Sequence, residues 1–187
     1  MLLRNFIALS LLTASTTILA ETVDINLRDN SAQLQFGTSI GRDSLGSSNL
    51  HAGILYTNGN DQFVDLGILV KEAVGSSDSG VTAGVGIKGL VAKVGNGNVA
   101  ALAIGGLVRF SVPANTKFGI VGQLYFSPNI TTYRDADRYT ETTARLEYDL
   151  IPQAAAYLGY RRINFGAVSG SSAVLDSGFH VGVRMTF

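Results

Sequence analysis

The chain has 187 residues, with 14 basic and 14 acidic side chains, 22 glycines and no cysteine. A formal net charge of zero leaves no electrostatic footprint for nucleic acid, and a chain without cysteine has neither a disulfide framework nor a thiol site. Charged residues are 15% of the total, below the roughly 25% of soluble proteins, and no apolar run after residue 20 is long enough to cross a membrane as a helix; a Gly-rich barrel fits this balance better than a soluble enzyme.

Residues 1–20 read as a secretory signal peptide. Arg4 supplies the positive start, Phe6 to Leu19 the apolar run, and Ala20 the small residue before cleavage at Glu21. The expected domain organisation is this segment followed by one barrel domain, residues 21–187.

From there the sequence alternates apolar and polar residues with a period of two, interrupted by turn residues. That is the pattern of strands with one apolar face. Val23, Ile25 and Leu27 form the first outward row, followed by a turn at Asp29-Asn30. Ala32, Leu34, Phe36, Thr38 and Ile40 form the second. Leu50, Ala52, Ile54 and Tyr56 lead to a turn at Asn58-Gly59-Asn60. Val64, Leu66, Ile68 and Val70 end in the polar stretch Gly75 to Gly80, and Val81, Ala83, Val85 and Ile87 make the next row. Asn96-Gly97-Asn98 is expected to turn, and Gly105-Gly106 to mark a bulge in a segment apolar on both faces.

After a turn at Pro113 and Asn115, the row Phe118, Ile120, Gly122, Leu124 and Phe126 runs into a polar loop, Ser127 to Asp137. Thr140 to Tyr148 alternate outward with Glu141 to Asp149 inward. A turn at Pro152 follows, then Ala156, Leu158 and Tyr160, and a loop from Gly166 to Ser177. The last strand places Phe179, Val181, Val183, Met185 and Phe187 on one face, with His180, Gly182, Arg184 and Thr186 on the other.

The pattern predicts an all-β fold, an antiparallel transmembrane β-barrel of ten strands, or of eight if residues 22–41 do not pair as drawn. The turns at Pro113 and Pro152 belong at the periplasmic end, and the longer loops 127–137 and 166–177 at the outer end. Outward aromatics sort into two levels, with Phe110, Phe118, Tyr148 and Phe187 at one and Tyr56, Phe126, Tyr160 and Phe179 at the other. A separation of eight strand steps is about 21 Å at a tilt of about 40°, near the ~25 Å apolar band of such barrels.

The terminal apolar row, ending on Phe187, resembles the signal read by the barrel-insertion machinery of Gram-negative bacteria. A wider resemblance is carried by Tyr125-Phe126-Ser127-Pro128, Asp137-Arg138-Tyr139, Ile151-Pro152-Gln153-Ala154 and Tyr157 to Ile163. These residues resemble the YfaZ family of small bacterial outer-membrane proteins. The resemblance implies a precursor that becomes an outer-membrane barrel, and it implies no enzymatic activity.

Two motifs read differently in this context. Gly37-Thr38-Ser39-Ile40-Gly41 matches a nucleophile elbow, and Gly84-Val85-Gly86-Ile87-Lys88-Gly89 matches a dinucleotide fingerprint. Both need a helix immediately afterwards, and both sit inside alternating strands. Glycines facing a narrow lumen, leaving room for Lys88, account for the second. Asp135 and Asp137 could hold a divalent ion with lipopolysaccharide, although solvated loop charges explain them as well. No cofactor or resident metal is expected.

The informative constellation is the inward face of the last three strands: Glu141, Arg145, Glu147, Asp149, Tyr157, Arg161, His180 and Arg184. Arg161 is expected near the level of Glu141 and Thr143, and Arg184 near Gly159. Buried charges must pair, so the first reading is a side-chain-plugged barrel with a structural or surface-interaction role. The alternatives are a narrow passive channel for small solutes and a membrane-embedded hydrolase. The expected partners are outer-membrane lipid, lipopolysaccharide and, during insertion, the assembly machinery, with the protein a monomer. On the last strand, an Arg at Val183 should be costly and a Ser at Gly182 tolerated.

Overall fold

The computed structural model describes residues 20–43, 46–75, 79–167 and 172–187. The predicted signal peptide lies outside the described residues except for Ala20. Eleven strands follow in chain order: β1 (Thr22–Leu27), β2 (Ser31–Asp43), β3 (Gly46–Thr57), β4 (Gln62–Ala73), β5 (Val81–Val94), β6 (Gly97–Ser111), β7 (Phe118–Ser127), β8 (Thr132–Arg134), β9 (Ala136–Ile151), β10 (Ala154–Ala167) and β11 (Ser172–Thr186).

Ten of them close into an antiparallel barrel. Each pairs with its neighbour in sequence, β7 pairs with β9, and β1 closes the ring against β11, with Ile25 opposite Val183 and Thr22 opposite Thr186. Closure removes every open edge from the ring, which is the condition for placing a sheet where no water can satisfy its backbone. Residues 22–41 pair as drawn, so ten strands stand rather than eight. The eleventh strand, β8, lies outside the ring order and pairs only with Val99–Ala101 of β6.

The alternation sets the two faces. Outward positions are apolar and exposed, among them Ile25, Ile54, Leu66, Val85, Ile104, Ile120, Leu158 and Val181. Inward positions carry the buried polar groups Asp24, Asn26, Gln33, Asp65, Lys88, Glu141, Glu147, Arg161 and Asp176. This inverts a soluble protein, whose exposed apolar patches are small. The two aromatic levels appear as contacts across strand pairs: Phe118 meets Tyr148 at 4.8 Å between ring centroids, and Tyr160 meets Phe179 at 5.3 Å.

Several local expectations change. The turn after β5 is Gly95-Asn96, one residue early; Gly97 and Asn98 already belong to β6. Gly95 has φ +56, and glycine at the first central position suits a two-residue hairpin. Gly105-Gly106 forms no bulge, because β6 keeps continuous register with both β5 and β7. Gly105 is needed for space instead: a Cβ there would lie 2.5 Å from the Tyr125 ring and 2.2 Å from the Leu124 carbonyl oxygen.

The polar loop 127–137 is partly ordered structure, a single 3-10 turn (Asn129–Thr131) followed by β8. Thr132 donates its hydroxyl to the Pro128 carbonyl at 2.9 Å and bonds Ser127 at 2.8 Å, which folds the segment back onto β6. The loop 166–177 is shorter than expected, since β10 runs to Ala167 and β11 begins at Ser172. Loop lengths are not generally asymmetric either. The connection 74–80, at the end holding residues 22 and 186, exceeds the connections 58–61 and 95–96 at the other end.

Candidate functional site: the barrel lumen

The lumen is built in three levels. At the end remote from residues 22 and 186, Leu55, Phe63, Leu90, Val99, Tyr125, Tyr139, Ile163, Phe165 and Leu175 pack into one buried cluster. These residues come from the remote ends of eight strands and pack against one another inside that end of the ring. Phe63 stacks against Tyr139 at 6.2 Å between ring centroids, and Phe165 meets the same ring at a tilt, at 5.3 Å.

Below this cluster lies a level of buried charges. Lys88 on β5 forms an ion pair with Glu141 on β9, and the Tyr139 hydroxyl donates to the same Glu141 oxygen. The Lys88 ammonium sits 4.3 Å from the Tyr125 ring centroid and 5.9 Å from that of Phe63. Two π-faces and a carboxylate therefore replace its hydration shell. Asp65 is fully enclosed nearby, with neither carboxylate oxygen hydrogen-bonded and His51 Nε2 3.6 Å away.

Beside it, Arg161 grips Asp176 through Nε at 2.8 Å and Nη2 at 2.6 Å. Its Nη1 donates to Asn26 at 3.1 Å and to Gln33. Arg28 and Ser31 add bonds to Asp176 at 2.9 and 3.1 Å. Asp176 faces inward in step with Gly178 and His180, and a bulge just before it turns Leu175 inward as well. Ile163 pairs with Asp176 and Asn164 with Val174, so Leu175 is the extra residue, and both Leu175 and Asp176 are buried.

The third level surrounds Glu147. Arg184 binds it with a two-nitrogen fork at 2.8 and 2.9 Å, Arg109 pairs with it, and Arg145 Nε lies 3.7 Å away. Arg145 Nη1 reaches Asp24 at 3.2 Å, Tyr157 donates its hydroxyl to Asp24, and the Arg145 guanidinium stacks 4.9 Å from the Tyr157 ring. Asp149, partly exposed, stands 3.8 Å from Arg109.

Beyond this level the lumen opens into a cavity of about 700 Å³ at the end holding residues 22 and 186, lined by Arg42, Lys71, Glu72, Arg109, Arg145 and Arg184 among others. An inward extension of about 200 Å³ reaches His51 and Tyr125. A larger apolar concavity, about 960 Å³, lies on the outer face over Gly106 and Gly122, away from most of the charged groups.

The residues predicted from the last three strands all face the lumen, but their partners differ from expectation. Arg161 stands opposite Thr143 on β9, as expected, but its ion pair is with Asp176 and not with Glu141. Arg184 lies opposite Ala155, and Gly159 opposite His180. His180 joins no hydrogen-bond network through Nδ1, which has no partner; its ring stands edge-on to Tyr157 at 5.9 Å. Gly159 accommodates that ring, since a Cβ there would lie 2.6 Å from His180 Nε2. Gly182 cannot take a side chain freely, because its Cβ would fall 2.3 Å from Tyr157 Cζ, so the expected tolerance of Ser is overturned.

Phe179, Val181 and Val183 point outward along β11, and β11, which Met185 shares, pairs with β1 on one side and β10 on the other; the Phe187 amide donates to the Glu21 carbonyl at 2.8 Å.

Sequence reading missed Asp24, Asn26, Gln33, Asp65, Arg109 and Asp176. All but Asp176 alternate with outward apolar neighbours, so their parity was readable; Asp176 fell in an expected loop. The two other motifs resolve plainly. Ser39 lies on β2 with its amide donating to Glu21 at 2.9 Å, and Gly84 to Gly89 lie within β5. Neither has the helix its motif requires. Asp135 accepts the Asn98 amide at 2.7 Å, and among the described residues no cluster of three metal-ligating side chains occurs.

Fold and lumen together define a small closed barrel, apolar outside and charged within. The chain belongs to the YfaZ family: its sequence matches the family described as YfaZ precursor over residues 3–187. Among solved structures it is similar to the KdgM porin (TM-score 0.48, 11% identity, 89% of this chain and 98% of that one). It is also similar to the NanC porin (0.48, 13%, 89% and 99%) and the outer-membrane channel DcaP of Acinetobacter baumannii (0.46, 8%, 88% and 54%). Comparison with curated proteins finds no match.

Proposed function

We propose that this protein is an exported, monomeric outer-membrane barrel whose lumen is closed by its own side chains and whose role is structural or surface-interactive. Export follows the signal-like segment 1–20, and membrane residence follows the apolar outer face. The observation that carries closure is the Lys88–Glu141 pair beneath a layer of apolar side chains. A barrel of this strand count has an interior that side chains can largely fill, and here they cross it rather than line it. Lipid and lipopolysaccharide are the partners that the outer face would meet.

Bilayer recording of the purified, refolded protein tests this reading, with no stable conductance step as the expected result. Reproducible single-channel steps would overturn it in favour of the passive channel, which the deep polar cavity at one end favours. The hydrolase reading lacks a comparable observation, because Ser39 lies inside β2, which continues past it to Asp43 where a nucleophile elbow would turn into a helix.

A further inference from the structure

We propose that the cavity at the end of the barrel holding residues 22 and 186 is a binding site for a small soluble oxyanion bearing more than one carboxylate or phosphate group. Among the described residues, Arg42, Lys71, Arg109, Arg145 and Arg184 line it, against one carboxylate, that of Glu72. The whole chain is formally neutral, so this concentration of cations does not follow from overall basicity.

The carboxylates behind the lining do not use up its donors. Glu147 is shared by Arg184, Arg109 and, at 3.7 Å, Arg145. A carboxylate offers about four acceptor sites, whereas each guanidinium brings five N–H donors. Arg145 Nε is buried and has no hydrogen-bond partner. Asp149 stands 3.8 Å from Arg109. Glu21 and Asp24 line only the inward extension, and Asp24 is already bound by Tyr157 and Arg145.

Lys71 is the clearest indication. It faces both the cavity and its extension and forms no ion pair among the described residues. Guanidinium forks match planar carboxylates and phosphates in two-point geometry, while an ammonium acts as a point charge for either. Together they suit an anion with separated charged groups. The hydroxyls of Ser47 and Thr82 line the same wall. The volume, about 700 Å³, lies within the range of small-molecule sites. A neutral sugar or an apolar ligand would leave the cations unmatched.

The test is calorimetric titration of the full mature chain, refolded in uncharged detergent micelles, with pyrophosphate and separately with citrate. Low salt, about 50 mM, limits screening. Saturable binding of at least one anion is expected, and the two affinities show whether phosphate or carboxylate is preferred. Lys71→Gln should weaken binding about tenfold, or ~1.4 kcal/mol, while Lys93→Gln, on an outward-facing position of β5, should leave it unchanged. Lys71 holds no ion pair of the fold, so the variant should fold as the parent does, which circular dichroism verifies. No saturable binding of either anion up to about 10 mM, a ceiling corresponding to weaker than ~3 kcal/mol, would overturn the proposal. So would a Lys71→Gln loss no larger than that of Lys93→Gln. The readout is not electrical, so a conducting barrel and an empty cavity are separate results.

Discussion

Lys88 and Glu141 meet inside the barrel from strands that are not neighbours. β5 and β9 are separated by β6 and β7, so the pair crosses the lumen instead of following a hairpin. Side-chain exposure is 1% for Lys88 and 4% for Glu141, and both are held by aromatic groups above them. Among the described residues neither charge has a second ion-pair partner. Removing either one therefore strands the other.

That arrangement predicts a strong coupling. Lys88→Met or Glu141→Gln alone should cost about 3–5 kcal/mol, the usual penalty for orphaning a buried charge. The double variant should recover much of that loss, because paired removal leaves no unmatched group. Asp29→Asn, which breaks only the exposed Arg28–Asp29 pair at 3.0 Å, should change stability by ~0–1 kcal/mol. Urea unfolding in lipid vesicles measures all four. Additive single and double effects would show that the pair does not interact.

Arg161 should couple to Asp176 far more than to Glu141. Its two bonds to Asp176, at 2.6 and 2.8 Å, form a directed fork. The expected double-mutant coupling for Arg161→Met with Asp176→Asn is several kcal/mol, as for other fully buried pairs. The cycle with Glu141→Gln should give a clearly smaller value, since only longer-range electrostatics connect them. Equal couplings would contradict the register that sets Asp176 opposite Ile163, one inward step from Arg161.

The last strand offers a test of inside against outside. Val183 faces outward and Gly182 lies beneath the Tyr157 ring. Val183→Arg should cost about 2–4 kcal/mol if that face meets lipid near the midplane. Gly182→Ala should also be costly, about 1–3 kcal/mol, for the different reason of overpacking. Gly122→Ala is the control, because a Cβ there meets nothing within 4 Å. Vesicle unfolding that finds Gly182→Ala as mild as Gly122→Ala would place the Tyr157 ring elsewhere.

β8 should be the least protected strand. It is three residues long and pairs on one side only, with Val99–Ala101. Hydrogen exchange read by mass spectrometry should show the amides of Thr132–Arg134 exchanging well before those of β10, which is paired on both sides. Comparable protection would mean that β8 is integrated into the ring.

Alternation determined the class and, along most strands, the two faces, while the closure of ten strands was settled by the pairing of β1 with β2 and β11. A strand has only two sides, so an apolar residue at every second position assigns inside and outside without reference to any other strand. Ile25 and Asp24, or Leu66 and Asp65, take opposite faces for that reason, and ten alternating segments close into ten strands. The glycines were legible as lumen residues in Gly84 and Gly86, but not as seats for particular rings such as Tyr157 over Gly182. Pairing inside the lumen was decided only by the tertiary structure. A barrel brings residues together by stagger and curvature, which depend on every register around the ring. The early start of β11 at Ser172 set Asp176 in a strand beside Arg161 instead of in the expected loop, and the width of the lumen carried Lys88 across to Glu141. Local periodicity holds no record of either contact, because one depends on where a strand begins and the other on strands that meet only across the ring.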